Sequence, residues 1–169
     1  AVNRAIENSL KTIVSLLLNL NERSGYDVNI VLTDDQEIKG LNKKYRKKNS
    51  TTNVLSFPFG RSESDGFLPT IALKELGDVV ISVDTAAREA ESANQSLLSR
   101  LSWLLTHGFL HLLGYDHEIS EQEAISMADK EQEMLSIVNH LRRPVMPHLA
   151  VNVDHVATIR EARGITEPD

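Results

Sequence analysis

The segment from Ser96 to Gly114 constrains the fold of this chain more than any other. Its leucines recur at the three- and four-residue spacing of an α-helix, and the segment is strongly apolar. A helix of this character is expected to be buried at the centre of the protein. Gly114 predicts where it ends, because glycine readily adopts the left-handed conformation of a helix C-cap. The leucines of the pattern are Leu97, Leu98, Leu101, Leu104, Leu105 and Leu112.

Two helices are predicted ahead of this segment. Apolar residues at helical spacing predict the first over residues 4–20. The second follows a capping box at 33–36 and is predicted to turn Ile38, Leu41 and Tyr45 inward. Each helix should therefore contribute one apolar face to the core.

Two further helices are expected, one before and one after the central helix in the sequence. One is predicted to begin at Asp84 or Thr85, whose side chains suit a helix N-cap, and to run to about Ser92. The other follows a capping box at 120–123 and is predicted to end near Leu141.

Short strands are predicted between these helices. They occupy residues 28–32, 53–57 and 77–83, and a polar, glycine-containing loop or hairpin connection is expected at 60–70. The predicted fold class is therefore α+β, with a small mixed β-sheet packed against helices.

Length and composition are those of a globular protein. The 169 residues suit one domain, or one domain with an appendage. No apolar run approaches the roughly 20 residues that cross a bilayer, and the first residues lack the apolar stretch of a signal peptide. We therefore expect a cytoplasmic protein without a membrane partner. The net charge of -6 argues mildly against a nucleic-acid partner, although a local cluster can override the total.

Three histidines carry the main functional signal. His107 and His111 are four residues apart on the predicted central helix, so their side chains project from one face, one turn apart. Gly114 lets the chain leave the helix sharply, and His117 can then swing back toward the same point. The chain contains no cysteine, so a transition metal must be held by histidine and carboxylate. The spacing predicts a metal site at His107, His111 and His117, within a metalloprotease-like fold.

Three protein ligands leave one coordination position open, which is typical of catalytic zinc. We expect one zinc ion, although the ligand type also suits nickel or copper. Metzincin peptidases share the spacing, but Gly108 stands where they have a catalytic glutamate, so peptidase chemistry of that type lacks its base. The remaining histidines, His140, His148 and His155, have no such spacing and are expected at the surface or in the tail.

The residues around the three histidines resemble the YbeY family of rRNA-maturation endoribonucleases. The family signature is a His-Gly-x-x-His-Leu-x-Gly-Tyr-Asp-His run, and residues 107–117 follow it. Residues 42–46 with 52–58 resemble a second block of the family, and residues 76–82 resemble a third. The blocks stand in the expected order within residues 1–143, which we interpret as the endoribonuclease domain.

The resemblance implies a zinc-dependent endoribonuclease that is specific for single strands. It implies a role in rRNA maturation, at the 3' end of the small-subunit rRNA, and in ribosome quality control. Ribosomal RNA is then the substrate, and the ribosome or a ribosomal protein is the expected partner. Arg46 matches the arginine that the family is thought to use, so the expected catalytic residues are Arg46, His107, His111 and His117.

Two alternatives remain open at this point. The first is a metallohydrolase of another class, peptidase-like or acting on a small molecule. The second is a non-catalytic ribosome-associated factor whose metal is structural. The YbeY resemblance is also imperfect at Asn49 and Asn53, where the family often has aspartates.

Phosphodiester cleavage at such a site needs a proton acceptor and a cation. A zinc ion on three neutral imidazoles can lower the pKa of bound water to about 7. Asp116 and Glu118 are the nearest carboxylates in sequence, and Asp116 could equally orient a ligand histidine. Arg46 is the expected cation, because a guanidinium pairs bidentately with phosphate oxygens.

A basic cluster surrounds Arg46 and predicts a track for an RNA backbone. It has six basic residues and no acid among residues 39–48. Nearby Phe57 and Phe59 could stack on a base, but core packing is the favoured interpretation. The members of the cluster are Lys39, Lys43, Lys44, Arg46, Lys47 and Lys48.

Residues 144–169 are interpreted as a separate tail. Residues 146–164 resemble the first strand and turn of pyridoxine 5'-phosphate synthase, an eight-stranded barrel of which they supply about one strand-loop unit. No barrel can form from so short a segment. We therefore expect the truncated start of a second domain that does not fold independently, either disordered or packed on a surface, and we assign it no activity.

Overall fold

The computed structural model describes residues 3–59 and 74–141. The predicted α+β class is confirmed, whereas the loop predicted at 60–70 and the tail at 144–169 lie outside the described residues. The elements, in chain order, are α1 (Arg4–Leu20), β1 (Asp27–Thr33), α2 (Asp35–Arg46), β2 (Val54–Pro58), β3 (Glu75–Ser82), α3 (Val83–Ser92), α4 (Leu97–Leu113) and α5 (Glu121–Leu141).

The three strands form one mixed sheet in the order β1-β3-β2. β1 runs parallel to β3, whereas β2 is antiparallel to β3, with Leu55 opposite Val80. In the described part of the chain, β2 is therefore an edge strand. This position matters for function, because β2 borders the cleft described below.

α4 is the buried central helix that the leucine pattern predicts. Its N-cap is Ser96, whose hydroxyl accepts a hydrogen bond from the amide of Ser99 at 3.1 Å, and its C-cap is Gly114, which has a left-handed φ of 104°. α4 packs against β2 and β3 and also against α1, α3 and α5. Its fully buried side chains include Leu101, Leu104, Leu105, Phe109 and Leu110.

α4 approaches the sheet most closely at Gly108. A Cβ atom at this position would lie 2.6 Å from Val79 Cγ1, 3.0 Å from Ser56 Oγ and 3.2 Å from Val54 Cγ2. The Ser56 hydroxyl also donates a hydrogen bond to the Gly108 carbonyl at 2.9 Å. The position therefore has no room for a side chain, so the packing that requires this glycine also excludes a glutamate general base.

Two predicted helix starts are wrong by one to three residues. α2 is capped by Asp34, whose carboxylate accepts from the amide of Glu37 at 2.8 Å, because Thr33 still belongs to β1. α3 is capped by Ser82, whose hydroxyl accepts from the amide of Thr85 at 3.2 Å, rather than by Asp84 or Thr85. In each case a strand leads directly into the helix with little or no intervening loop.

The prediction that Tyr45 turns inward is also wrong. The buried residues of α2 are Ile38 and Asn42, and the Asn42 side chain donates to the carbonyl of Ser50 at 2.8 Å. Tyr45 lies in the last turn, where its ring packs edge-on against Phe57 with 5.1 Å between the ring centroids. Because this contact covers only part of the ring, 44% of the residue remains exposed.

Candidate metal centre

The structure brings together the three histidines that the sequence predicts as ligands. His107 and His111 lie on successive turns of α4, and their Nε2 atoms are 3.2 Å apart. His117 lies after the helix end, with its ring centroid 5.3 Å from that of His107 and 5.2 Å from that of His111. Each residue offers a ring nitrogen, and these nitrogens all lie within 4.8 Å of one another.

This arrangement fits a single metal ion. Zinc binds histidine nitrogens at about 2.0–2.1 Å in tetrahedral geometry, so two such nitrogens are about 3.3 Å apart. The observed separation of 3.2 Å between His107 and His111 is close to that value. His107, His111 and His117 could therefore share one ion, leaving a position free for a substrate or water.

The turn after α4 returns His117 to the helix. The amide of Gly114 donates to the carbonyl of His111 at 3.0 Å, and the amide of Tyr115 donates to the carbonyl of Leu110 at 3.1 Å. Asp116 then accepts a hydrogen bond from the amide of Glu118 through Oδ1 at 2.9 Å. The observed contact of Asp116 therefore shapes the turn that carries His117.

Burial favours the neutral form of His111. The pKa of His111 is lowered first by desolvation, and then by the positive charges that His107 and His117 carry when protonated. A neutral imidazole is the form that binds a metal, so this environment suits ligation.

Glu131 supports His107 and was missed in the sequence. Its Oε1 lies 2.8 Å from Nδ1 of His107. Glu131 lies on the inward face of α5, four residues after the buried Met127 and three before the buried Met134. An acid on an otherwise apolar helix face is a signal that sequence reasoning could have used.

Arg46 lies in the same cleft as the histidines. The cleft has a volume of about 390 Å³ and is bounded by α4, the turn after it, β2 and the end of α2. The Arg46 guanidinium donates to Glu118 Oε2 at 2.7 Å, and this contact lowers the pKa of the Glu118 carboxyl. Arg46 and Glu118 are both highly exposed, with 43% and 51% of their side chains accessible. The lining residues include Arg46, Asn53, His107, His111, His117 and Glu118.

The basic cluster of residues 39–48 is exposed, and its member Arg46 lines this cleft. Every lysine in it is exposed, and the last turn of α2 carries Lys43, Lys44 and Arg46. Lys47 adopts a left-handed conformation with a φ of 60°, so the helix ends within the cluster. Lys43, Lys44, Arg46 and Lys47 therefore lie at the C-terminal end of α2, where they complement the negative pole of the helix dipole, whereas Lys39 lies in the middle of the helix.

Asn53 has a structural partner that explains an amide at this position. Its Nδ2 donates to Glu89 Oε1 at 3.0 Å, and Arg100 Nε donates to Glu89 Oε2 at 2.8 Å. An aspartate at position 53 could not donate and would place a second carboxylate against Glu89. Asn49, the other departure from the family pattern, is exposed.

The remaining candidates occupy ordinary positions. Phe57 packs against the small core of Ile38, Leu55 and Val80, in line with the favoured interpretation, while part of it lines the cleft. His140 is exposed on α5, whereas His148 and His155 lie outside the described residues. Across residues 3–59 and 74–141, no helix combines the length and apolar character needed to cross a bilayer.

Known proteins match both the sequence and the fold. Residues 1–139 match the family model of Endoribonuclease YbeY. The chain is 47% identical over 110 residues to Endoribonuclease YbeY of Aquifex aeolicus, which covers 65% of this chain and 69% of the relative. It is 40% identical over 135 residues to Endoribonuclease YbeY of Carboxydothermus hydrogenoformans, covering 80% and 87%. The solution structure of TM1509 from Thermotoga maritima matches with a TM-score of 0.57 and 26% identity, over 85% of this chain and 87% of that one.

The family match confirms the resemblance noted in the sequence. The matched range contains the histidine run at 107–117 and both upstream blocks, and the relatives at 47% and 40% identity are both named Endoribonuclease YbeY. This chain therefore belongs to the YbeY endoribonuclease family.

Proposed function

We propose that this chain is a zinc-dependent endoribonuclease that cleaves single-stranded ribosomal RNA. The observation that carries the proposal is that the three-histidine cluster and Arg46 line one cleft. Membership in a family of endoribonucleases supports RNA as the substrate. The exposed basic cluster of residues 39–48, whose member Arg46 lines the cleft, adds positive charge that suits a phosphate backbone.

The proposed division of labour follows from the two sides of the cleft. His107, His111 and His117 would hold the metal, which would supply Lewis acidity toward a phosphoryl oxygen and would make a bound water more acidic. Arg46 binds a non-bridging phosphate oxygen, for which it exchanges its contact with Glu118. Burial of His111 favours the neutral imidazole form that metal ligation requires.

The proposed biological role follows the family. We place the activity in rRNA maturation at the 3' end of the small-subunit rRNA and in ribosome quality control, in the cytoplasm. A ribosomal partner would supply the site selection that one modest cleft lacks. We assign the activity to residues 1–143 and none to residues 144–169.

The competing peptidase-like function is less well supported. The contact of Gly108 with Val79 and Ser56 leaves no space for the glutamate base of metzincin peptidases. A purely structural metal is also disfavoured, because three ligands in an open cleft leave a coordination position accessible.

The proposal is tested with His111→Ala, because this substitution removes a ligand from the centre of the cluster. Cleavage of a single-stranded oligonucleotide and of the 3' region of small-subunit rRNA should fall by about 100- to 1,000-fold, the scale of losing an electrostatic catalyst. Bound zinc, measured by elemental analysis, should fall with it. A duplex of the same sequence should resist the unchanged protein.

His140→Ala is the matched control, because His140 is exposed on α5 and lies outside the cluster. It should retain both zinc and cleavage. Equal cleavage by the His111→Ala variant and the unchanged protein would contradict a metal-dependent nuclease.

A further inference from the structure

We propose that Glu131 is a positioning residue that fixes the tautomer and orientation of His107 for metal binding. The inference rests on the proposed metal site and deepens it. It assigns a function to α5, which contributes no metal ligand to the cluster.

The partly buried position of Glu131 on an apolar helix face reduces the stability of the fold unless its carboxylate has a partner. Met127, Met134 and Val138 are at most 2% exposed and occupy the same face of α5. The Glu131 side chain is only 16% exposed. Removing a carboxylate from water in this way is unfavourable without a specific partner. Among residues 3–59 and 74–141, Glu131 forms an ion pair with His107 and with no lysine or arginine.

The contact specifies which ring nitrogen of His107 is free. An ionised carboxylate only accepts hydrogen bonds, so Nδ1 of His107 must carry the proton that lies between it and Oε1 at 2.8 Å. The lone pair of the neutral ring is then on Nε2. This is the atom that lies 3.2 Å from Nε2 of His111, inside the cluster. Glu131 therefore holds His107 in the one tautomer that presents a ligand atom to the metal.

A second contact fixes the plane of the same ring. Trp103, one turn earlier on α4, stacks on His107 with 5.1 Å between ring centroids and an interplanar angle of 16°. The Arg100 guanidinium covers Trp103 at 4.3 Å from its centroid and is held by Glu89. Stacking sets the ring plane, whereas the Glu131 hydrogen bond sets the direction of Nε2 within that plane. Together the two contacts leave His107 little rotational freedom.

The test compares Glu131→Leu and Glu131→Gln with Glu133→Gln. Glu133 is the matched control, because it lies on the same helix but is 58% exposed and pairs with Lys130. Zinc affinity is measured by competition with a chromophoric chelator. It should fall about 10- to 100-fold in Glu131→Leu. It should fall less in Glu131→Gln, whose amide oxygen can still accept from Nδ1, and stay unchanged in Glu133→Gln.

A second readout is independent of both metal and RNA. The ¹⁵N shifts of the His107 ring in the metal-free protein should show the Nδ1–H tautomer in the unchanged chain and a mixture in Glu131→Leu. A merely structural role predicts a lower melting temperature for Glu131→Leu with unchanged zinc affinity and tautomer, and that result would overturn the inference. A protein that binds zinc tightly, loses it in Glu131→Leu and yet cleaves no RNA would overturn the proposed function alone.

Discussion

On one wall of the cleft, α4 holds His107 and His111 within a packed scaffold, whereas on the other wall Arg46 projects from the exposed end of α2. The His107 side chain is 16% exposed and has two supporting contacts, with Glu131 and Trp103. The Arg46 side chain is 43% exposed and, among the residues that the structure describes, has one such contact, with Glu118. The wall that carries the histidines is therefore preorganised, whereas the wall that carries Arg46 can change its contacts more easily.

Removing Arg46 tests the adaptable wall and should have the largest effect of the changes below. Arg46→Ala should lower RNA cleavage about 100-fold, because a phosphate loses its charged donor in the transition state. The slope of log RNA affinity against log salt concentration should become shallower by about 1, because one phosphate contact is lost. Zinc content should be unaltered. Cleavage assays, filter binding at several salt concentrations and elemental analysis measure the three quantities.

Two further variants control this experiment. Arg23→Ala removes an arginine that packs over Tyr26, away from the cleft residues, and should leave cleavage unchanged. Glu118→Gln should raise RNA affinity a few-fold, because it releases Arg46 from an exposed ion pair worth about 1 kcal/mol at most. Loss of zinc in Arg46→Ala would contradict the conclusion that the histidine wall is organised independently of Arg46.

The packed wall is tested at Gly108. Gly108→Ala should destabilise the protein by about 2 kcal/mol, because the new methyl group must displace buried Val79 or move α4 away from β2. Urea denaturation measures this change, and zinc affinity should weaken in the same variant.

Gly40 provides a control with the opposite sign. It lies within α2, and a Cβ atom there would meet nothing within 4 Å. Gly40→Ala should therefore stabilise the protein by up to about 1 kcal/mol through helix propensity alone. If both substitutions stabilised the protein, the close approach of α4 to the sheet would be refuted.

The smallest effect is expected at Asp35, which anchors the start of the helix that carries Arg46. Its carboxylate accepts hydrogen bonds from the hydroxyls of Ser82 and Thr85 and from the Arg88 guanidinium, each at 2.6 Å. These contacts lower the pKa of Asp35 from 3.8 to about 2. Asp35→Asn should therefore cost about 1 kcal/mol at pH 7, measured by urea denaturation.

The sign of the pH dependence follows from the depressed pKa. The Asp35 carboxylate contributes its full stabilisation above pH 4, and the contribution is lost as the pH falls toward 2. The stability difference between the two proteins should thus shrink between pH 4 and pH 2. Asp34→Asn is the control, because asparagine caps a helix as well as aspartate does. A difference that is constant with pH would show that the charge of Asp35 is not involved.

The elements that were predicted correctly are those whose signal is local. The leucine pattern locates α4, and Gly114 marks its end. The spacing of His107, His111 and His117 likewise lies within one helix and one turn, so it could be recognised without knowledge of the rest of the fold. The mixed sheet follows from short strands between helices, although the order β1-β3-β2 depends on pairing between distant residues.

The features that were missed depend on contacts across the molecule. Glu131 follows His107 by 24 residues and meets it only because α5 folds back along α4. Ser82 caps α3 because β3 continues directly into that helix, which a search for a loop before the cap overlooks. Tyr45 has the spacing of an inward residue, but the last turn of α2 leaves much of its ring uncovered. The catalytic role of Arg46 and the identity of the metal stay predictions.

The three candidate ligands fall within the short span of residues 107–117. An ion bound by these residues would close a loop of only about ten residues, which removes little conformational entropy from the unfolded chain. It would therefore stabilise the end of α4 and would not link distant parts of the fold. The main core is built instead from apolar side chains of α1, the sheet, α4 and α5. A zinc finger folds only when its metal is bound. This protein, in contrast, should stay folded without zinc and should be able to bind zinc again when it is supplied.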